Sequence, residues 1–332
     1  MTKREKEILQ LIKEKPMISQ KELAAELNIT RSSVAVHITN LLKKGCILGK
    51  GYIVASEDEY VSIVGGTNID IQGFPNNKLI LHDSNPGKVK MSLGGVGRNV
   101  GENLVRLGIN TRLISAVGND IYGNKILDEA RDMGLNMEES LIMDGQSTST
   151  YLSILNETGD MEAAIAHMDI FDKITPRFIA SKKQVIENSA VCVIDTNIPR
   201  DVIEYILTNF KDVDFFLDTV STTKCQKVKD FIGYFHTIKP NKLEVEILTG
   251  IKINKDEDLK KAAEYLLNKG VKNVFITLGE DGIFYDNGSE YGKIKSPKIK
   301  VVNATGAGDA FVAALVYSYL KKFSTEYAGR FA

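Results

Sequence analysis

The first 45 residues carry apolar positions at helical spacing in three short segments. The segment REKEILQLIKEK has an apolar stripe that ends before Pro16. Ser19 followed by Glu22 has the spacing of a capping box at the start of a second helix, and Thr30 is the expected N-cap of a third. Three short helices in this order predict a helix-turn-helix.

From Tyr60 onwards, the pattern changes to short β-branched runs separated by amphipathic segments. Strands that alternate with helices predict an α/β fold, an open and mostly parallel sheet with helices on both faces. Pieces with alternating polar and apolar residues near 68–75, 88–93 and 147–167 predict a small β lid beside that sheet, with a hairpin turn at Glu157–Asp160. The predicted strands of the main sheet are YVSIVGG, TRLISAVG, SAVCVIDTN, VDFFLDTV, YFHTIKP and KNVFITLG.

The boundary between the two patterns also separates two charge balances. Residues 1–54 hold ten Lys or Arg and five Asp or Glu, whereas the remainder holds 32 and 38. The run Cys46–Val54 predicts a hairpin, which makes the first module a winged helix-turn-helix, and Ser56–Glu59 is the expected linker. We therefore place one domain at 1–56 and an α/β domain at 57–332.

The positive balance of the first module favours DNA as its partner. Its third helix is the expected recognition helix, and basic residues at its end and in the wing are expected to face phosphate. Winged helices often pair on palindromic DNA, so a homodimer is expected. The alternative is a small helical domain that packs or dimerises without DNA. The candidate DNA-binding residues are Arg31, Ser32, Ser33, His37, Lys43 and Lys50, with Lys44 beside them.

Cys46, Cys192 and Cys225 lie far apart and form no CxxC pair, which argues against a disulfide framework and a zinc site. The chain starts with charged residues and has no apolar stretch near the roughly 18 residues that a membrane span needs. We therefore predict a cytoplasmic protein with no membrane partner.

Ligands of open α/β sheets bind beyond the carboxyl ends of the strands. Five polar or glycine-rich stretches lie at this edge, each directly after a predicted strand or directly before a helix. These stretches are Gly65–Asp70, LGGVGRN at 93–99, Asp195–Asn197, Lys239–Asn241 with Glu244, and Thr277–Gly279 with Gly282.

The stretch NATGAGDAF, at 303–311, suggests the chemistry. Gly306, Ala307 and Gly308 let backbone N–H groups converge at the positive end of the helix that follows, which suits a phosphate group. Asp309 beside them could accept the proton of a substrate hydroxyl as that oxygen attacks phosphorus. The alternative is that Asp309 is a helix N-cap and the glycines form a turn.

The motifs GGVGRN, DTN, KPNKLE, TLGEDG and ATGAGDAF occur in the order typical of the ribokinase-like carbohydrate kinases, also called the PfkB family, which residues 60 to about 320 resemble. GGVGRN, the hairpin near 147–167 and the helix-turn-helix together resemble bacterial pseudouridine kinases. The resemblance implies a ribokinase-like fold and ATP-dependent phosphorylation of the 5′-hydroxyl of pseudouridine or a related nucleoside or sugar.

The resemblance also implies the roles of individual residues. Asp309 matches the catalytic base, and Gly306, Ala307 and Gly308 match the anion hole. The residues that match the sugar side are Asn68, Asp70, Gly94, Gly95, Asn99 and Asn197. Those that match the nucleotide side are Asn241, Glu244, Thr277, Gly279 and Gly282, with Glu244 acting indirectly on Mg²⁺.

Three positions depart from the family pattern. Val96 replaces a common lysine, which indicates an acceptor other than free ribose. Asn303 stands where the family usually has aspartate near a monovalent-cation site, and this leaves K⁺ binding open. Only 23 residues follow Asp309, where the family continues with a further helix, so a truncated chain is expected.

Two other functions remain as alternatives. In one, the chain is a transcription regulator whose kinase-like part senses a sugar or nucleoside. In the other, Gly95, Gly97 and Gly101 belong to a dinucleotide-binding oxidoreductase, although their GxGxxxG spacing fits that motif poorly. The intact Asp309 stretch favours the kinase.

Overall fold

A computed structural model describes residues 1–47, 59–298 and 305–332. The chain forms two compact units, Met1–Glu59 and Tyr60–Ala332. No helix in the described ranges is long and apolar enough to cross a membrane. Cys46, Cys192 and Cys225 are free thiols.

The first unit contains α1 (Lys3–Glu14), α2 (Gln20–Glu26) and α3 (Arg31–Lys43), as the spacing predicts. Each of these helices has a side-chain N-cap, and the capping box at the start of α2 is formed as expected. The predicted hairpin is described only as far as Ile47, so the rest of it, including Lys50, lies outside the described residues, as do 56–58 of the linker. The core consists of Ile8, Leu9, Ile12, Ile18, Leu23, Val34, Ile38, Leu41 and Ile47.

The second unit has the predicted alternation of strands and helices. Its strands are β1 (Tyr60–Val64), β2 (Asn68–Pro75), β3 (Gly87–Gly94), β4 (Asn110–Ile114), β5 (Ala116–Gly118), β6 (Leu141–Met143), β7 (Thr150–Leu155), β8 (Met161–His167), β9 (Val191–Asp195), β10 (Phe215–Asp218), β11 (Thr237–Ile238), β12 (Asn273–Thr277), β13 (Ile283–Asp286) and β14 (Tyr291–Ile294). Its helices are α4 (Val96–Arg106), α5 (Ile121–Met133), α6 (Pro176–Ser181), α7 (Lys183–Glu187), α8 (Arg200–Asn209), α9 (Lys242–Thr249), α10 (Asp256–Lys269), α11 (Ala307–Leu320) and α12 (Thr325–Phe331).

Within the described ranges, the main sheet has eight strands in the order β14-β13-β12-β11-β10-β9-β1-β4. The six strands from β12 to β4 are parallel, and β13 and β14 add an antiparallel edge. Successive strand residues point to opposite faces: Val191 and Val193 of β9 face a core shared with α4, α5, α11 and α12, while Ile194 faces the core of α8, α9 and α10. The α/β fold class with helices on both faces is thus confirmed.

A second sheet has the order β3-β2-β7-β8 and corresponds to the predicted lid. Its central pair, β2 and β7, is parallel, and the outer pairs are antiparallel. β2 follows the carboxyl end of β1 after a turn of three residues, and β3 leads directly into α4. The small sheet therefore starts and ends at the same edge of the main sheet.

Candidate active site

The carboxyl ends of β1 and β9 lie side by side, and Asp195 joins the turns around them. Its Oδ2 atom accepts hydrogen bonds from Gly66 N–H (2.7 Å) and Gly97 N–H (2.8 Å), and its Oδ1 atom accepts one from Asn197 N–H (2.8 Å). The carboxyl group is buried, and this burial, with Asp218 adding to it, raises the pKa of Asp195 to about 6.

The glycines at the start of α4 allow this part of the chain to touch the turn after β1. A Cβ atom at Gly95 would lie 2.4 Å from Thr67 Cα, and one at Gly97 would lie 3.0 Å from the backbone of Gly65. Gly95 also has φ of 100°, which only glycine adopts without strain. The run GGVG is therefore required for backbone contact with the turn after β1.

Asn68 and Asp70 lie on β2, so they are strand residues rather than turn residues. The Asn68 amide donates to Asp70 Oδ1 at 2.6 Å, and a Cβ atom at Gly94 would lie 2.2 Å from Asp70 Oδ2. Burial raises the pKa of Asp70, while the Asn68 hydrogen bond acts in the opposite direction. This sugar-side group is thus in contact with the glycine run.

Asp309 and Asn99 connect the first turns of α11 and α4. The Asn99 amide donates to Asp309 Oδ2 at 2.7 Å. The N-cap of α11 is Gly306, so Asp309 occupies the third helical position, and the N-cap alternative is wrong. Burial raises the pKa of Asp309, and Asp218 contributes, while the Asn99 hydrogen bond and Lys239 lower it. A carboxylate with a raised pKa is a better proton acceptor.

The start of α11 can receive an anion. Gly306 has φ of 81° and, among the described residues, no side chain caps its first N–H groups. Lys239 adds positive charge there, since its Nζ atom would lie 2.8 Å from a Cβ atom at Gly308. Lys239 is buried and forms an ion pair with Asp218 at 3.1 Å. Helix N-termini and ammonium groups both attract phosphate.

The nucleotide-side residues form a second group on the carboxyl side of β11 and β12. Asn241 and Glu244 make a capping box for α9, and Glu244 Oε2 also accepts from the Thr219 hydroxyl at 2.6 Å. Thr277 N–H donates to Pro240 O. Gly279 lies in a short 3-10 turn, and a Cβ atom at Gly282 would lie 1.9 Å from Ile294 O.

The family resemblance implies Mg²⁺, and this group offers one predicted carboxylate for it. Across residues 1–47, 59–298 and 305–332, no cluster of three or more His, Cys, Asp or Glu could hold a metal. Mg²⁺ commonly keeps several waters and is bound by substrate phosphates with one or two carboxylates. Glu244 is the predicted carboxylate that suits such water-mediated binding. Asn303 lies outside the described residues.

Two lysines hold the turn after β9. Lys224 Nζ donates to Asn197 Oδ1 at 2.6 Å, and Lys227 Nζ donates to the carbonyl oxygens of Thr196 and Ile198 at 3.0 Å each. Burial lowers the pKa of both lysines. Asn197 is therefore held by side chains from the segment after β10.

The predicted site residues thus form two groups that meet at the start of α11. On the sugar side, direct contacts join Asn68, Asp70, the glycine run, Asn99 and Asp309. Lys239 of the KPN segment lies beside Gly308 at the start of α11. No individual role was predicted for Asp195, Asp218, Lys224, Lys227 or Lys239, although Asp195 and Lys239 lie in two of the predicted stretches. The repeated IDT and LDT endings of two predicted strands were a signal for the two aspartates.

In the first unit, the predicted DNA-binding residues lie on α3, except Lys50, which lies outside the described residues. Arg31, Ser32 and Lys43 are exposed, and Ser33 and His37 are half-buried. Lys44 pairs with the buried Glu5 at 2.7 Å, which also lowers the pKa of Glu5. The exposed basic side chains of α3 are therefore at its two ends, Arg31 and Lys43.

Comparison with known proteins assigns both units. Residues 58–332 match the family model described as pfkB family carbohydrate kinase. The chain belongs to the PfkB family of carbohydrate kinases. Residues 1–47 match the winged helix-turn-helix DNA-binding model. These matches confirm the predicted ribokinase-like class and the helix-turn-helix, and they exclude the oxidoreductase alternative.

The relatives are kinases of sugars and nucleosides. The Escherichia coli (strain K12) protein named "Uncharacterized sugar kinase YeiI" is 38% identical over 333 residues, which cover 100% of this chain and 92% of that protein. The pseudouridine kinase of the same strain is 40% identical over 277 residues, covering 83% and 88%. A crystal structure from Clostridium perfringens has a TM-score of 0.75 and 44% identity, covering 82% of this chain and 87% of that one.

Proposed function

We propose that this kinase transfers the γ-phosphoryl group of ATP to the 5′-hydroxyl of pseudouridine or a closely related nucleoside. The observation that carries the proposal is the Asn99–Asp309 pair, which places a buried carboxylate beside the uncapped start of α11. The 40% identity to a pseudouridine kinase supports the nucleoside, as does Val96 in place of the lysine common in sugar kinases.

In this proposal, Asp309 accepts the proton of the acceptor hydroxyl while that oxygen attacks the γ-phosphorus. The N–H groups of residues 306–308 and the Lys239 ammonium stabilise negative charge on the transferred group. Asn68, Asp70 and Asn197 orient the ribose hydroxyls. Mg²⁺ bound to the ATP phosphates would supply further charge neutralisation.

The acceptor is tested by incubating the protein with Mg-ATP and pseudouridine, uridine, adenosine, ribose or fructose, and following ADP release. We expect turnover chiefly with pseudouridine. Asp309→Asn should lower kcat by about three orders of magnitude or more, because proton removal and phosphoryl placement act together. An unchanged kcat in that variant would remove Asp309 from the mechanism, and a preference for ribose or fructose would exclude the nucleoside.

A second role, DNA binding by the first unit, is favoured by its family match and by the exposed basic residues of α3. It is compatible with kinase activity and also with a sensor function of the second unit. If catalysis were absent while the nucleoside still bound, the sensor alternative would replace the kinase.

The DNA role is tested with a salt titration of binding to the protein's own promoter region. Arg31→Ala with Lys43→Ala should weaken binding at least about tenfold and flatten the salt dependence, because fewer counterions are released. Lys3→Ala with Lys6→Ala removes the same charge from α1 and is the matched control. Equal loss in both double variants would indicate a general charge effect and not a recognition helix.

A further inference from the structure

Asp195 is a buried acid that has no role in the proposed mechanism. It ends β9 and contacts three separate segments: the turn after β1, the first turn of α4, and the turn that carries Asn197. The first turn of α4 and the turn after β9 contain the predicted sugar-side residues Asn99 and Asn197, and the turn after β1 leads directly into Asn68. The contacts are all backbone N–H groups, so they position the main chain.

We propose that Asp195 is a positioning residue for acceptor binding, and that its ionised carboxylate keeps the three sugar-side turns in register. The inference rests on the proposed function, because the acceptor is the ligand whose affinity it controls. Both carboxylate oxygens face N–H donors. Two N–H donors already occupy Oδ2 and one occupies Oδ1, so protonation removes the negative charge that these donors share, weakens their hydrogen bonds and loosens the turns.

The surrounding packing shows why this group is difficult to replace. A Cβ atom at Gly65 would lie 2.4 Å from Asp195 Oδ2. A Cβ atom at Gly66 would lie 3.0 Å from Nδ2 of the Asn197 side chain. The turn after β1 thus lies directly on the carboxylate. An aspartate that only capped its own strand would need no such approach from two other segments.

The charged groups near Asp195 come from β10 and the segment after it. Asp218 disfavours its ionised form, while Lys224 and Lys227 interact with it favourably. From the turn after β1 and from α4, the contacts are main-chain amides. Arg98 on α4 is paired with Glu102. With its pKa at about 6, Asp195 changes charge just below neutral pH.

The first test is Asp195→Asn in the full chain, with ADP release as the readout. The amide nitrogen would face an N–H donor, so one turn is released, and the acceptor KM should rise about tenfold or more while kcat and the KM of ATP change much less. Asp286→Asn is the matched control: Asp286 is also a buried strand-end aspartate, accepting from Gly288 N–H, and it should leave the acceptor KM unchanged. An unchanged acceptor KM in folded Asp195→Asn would overturn the inference.

The second test measures pseudouridine affinity by calorimetry without ATP between pH 5 and 7.5. The wild type should bind about tenfold more weakly at the lower pH, because Asp195 is then protonated, and Asp195→Asn should show a flatter profile. The same steep profile in that variant would overturn the inference and leave Asp70 or Asp309 as the titrating group.

If Asp195→Asn does not fold, Gly65→Ala is the deciding variant. The Cβ atom added at position 65 must displace the Asp195 carboxylate, which keeps its charge. A raised acceptor KM supports the inference and an unchanged one overturns it. Failure of the wild type to phosphorylate any acceptor would instead be a failure of the proposed function.

Discussion

At the residue scale, Asp309 has two opposing influences on its proton affinity. Burial raises its pKa, and the hydrogen bond from Asn99 lowers it. The raised pKa favours proton acceptance, whereas the hydrogen bond favours the ionised form of the carboxyl group. Asn99 thus has a role towards the base besides the one predicted towards the sugar.

Replacing Asn99 with Leu should shift the acid limb of kcat to higher pH. Loss of the amide donor raises the pKa of Asp309 further, so the ionised base is lost at a higher pH as the solution is acidified. The measurement is a pH profile of kcat at saturating substrates. Asn103→Leu is the control, because Asn103 lies one turn further along α4 and donates to Asn99 O. If the acid limb of kcat lies at the same pH in both variants, Asn99 does not influence the pKa of Asp309.

Residues of the site differed in how far the sequence could predict them. Asp309 and Asn99 are in motifs, and the structure brings them into contact. Asp195 was also in a quoted motif, but two of its three partners are main-chain N–H groups of distant segments, which no pattern of side chains reveals. Lys224 and Lys227 follow no strand directly and approach Asn197 only through the path of the segment after β10.

At the element scale, the lid strands and the glycine run form one packing unit. β2 and β3 pair from Asn68↔Gly94 onwards, so Gly94 and Asp70 lie on neighbouring strands where the lid meets the main sheet. The missing Cβ atom at Gly94 leaves room for the Asp70 carboxylate.

Gly94→Ala should raise the acceptor KM about tenfold or more and leave the KM of ATP nearly unchanged. The added Cβ atom would lie 2.2 Å from Asp70 Oδ2, and moving that carboxylate breaks its contact with Asn68. Steady-state kinetics with each substrate varied provides the measurement. Gly73→Ala on β2 is the control, since its Cβ atom would meet nothing closer than 3.9 Å. A similar effect of both substitutions would point to general weakening of the lid.

Elements were more predictable than contacts. The three helices of the first unit and the parallel strands were readable from hydrophobic spacing and caps, because both depend on neighbouring residues. The pairing of β2 with β7 depends on residues far apart in the chain. Periodicity cannot predict such partners.

At the scale of the whole molecule, two family matches lie on one chain. The relative named YeiI aligns along both units. The opposite charge balances of the two parts agree with different partners, a nucleic acid for one and a small phosphate acceptor for the other.

The parallel pairing of β2 with β7 also has a consequence for the order of folding. Ile69 pairs with Thr150, and the chain between them includes α4, β4 and α5. Closing so long a loop costs more chain entropy than forming a hairpin, and such contacts form slowly. We infer that the lid sheet assembles after the segments between its strands, so that a nascent chain gains the central strand pair of this sheet only once α4, β4 and α5 have been made.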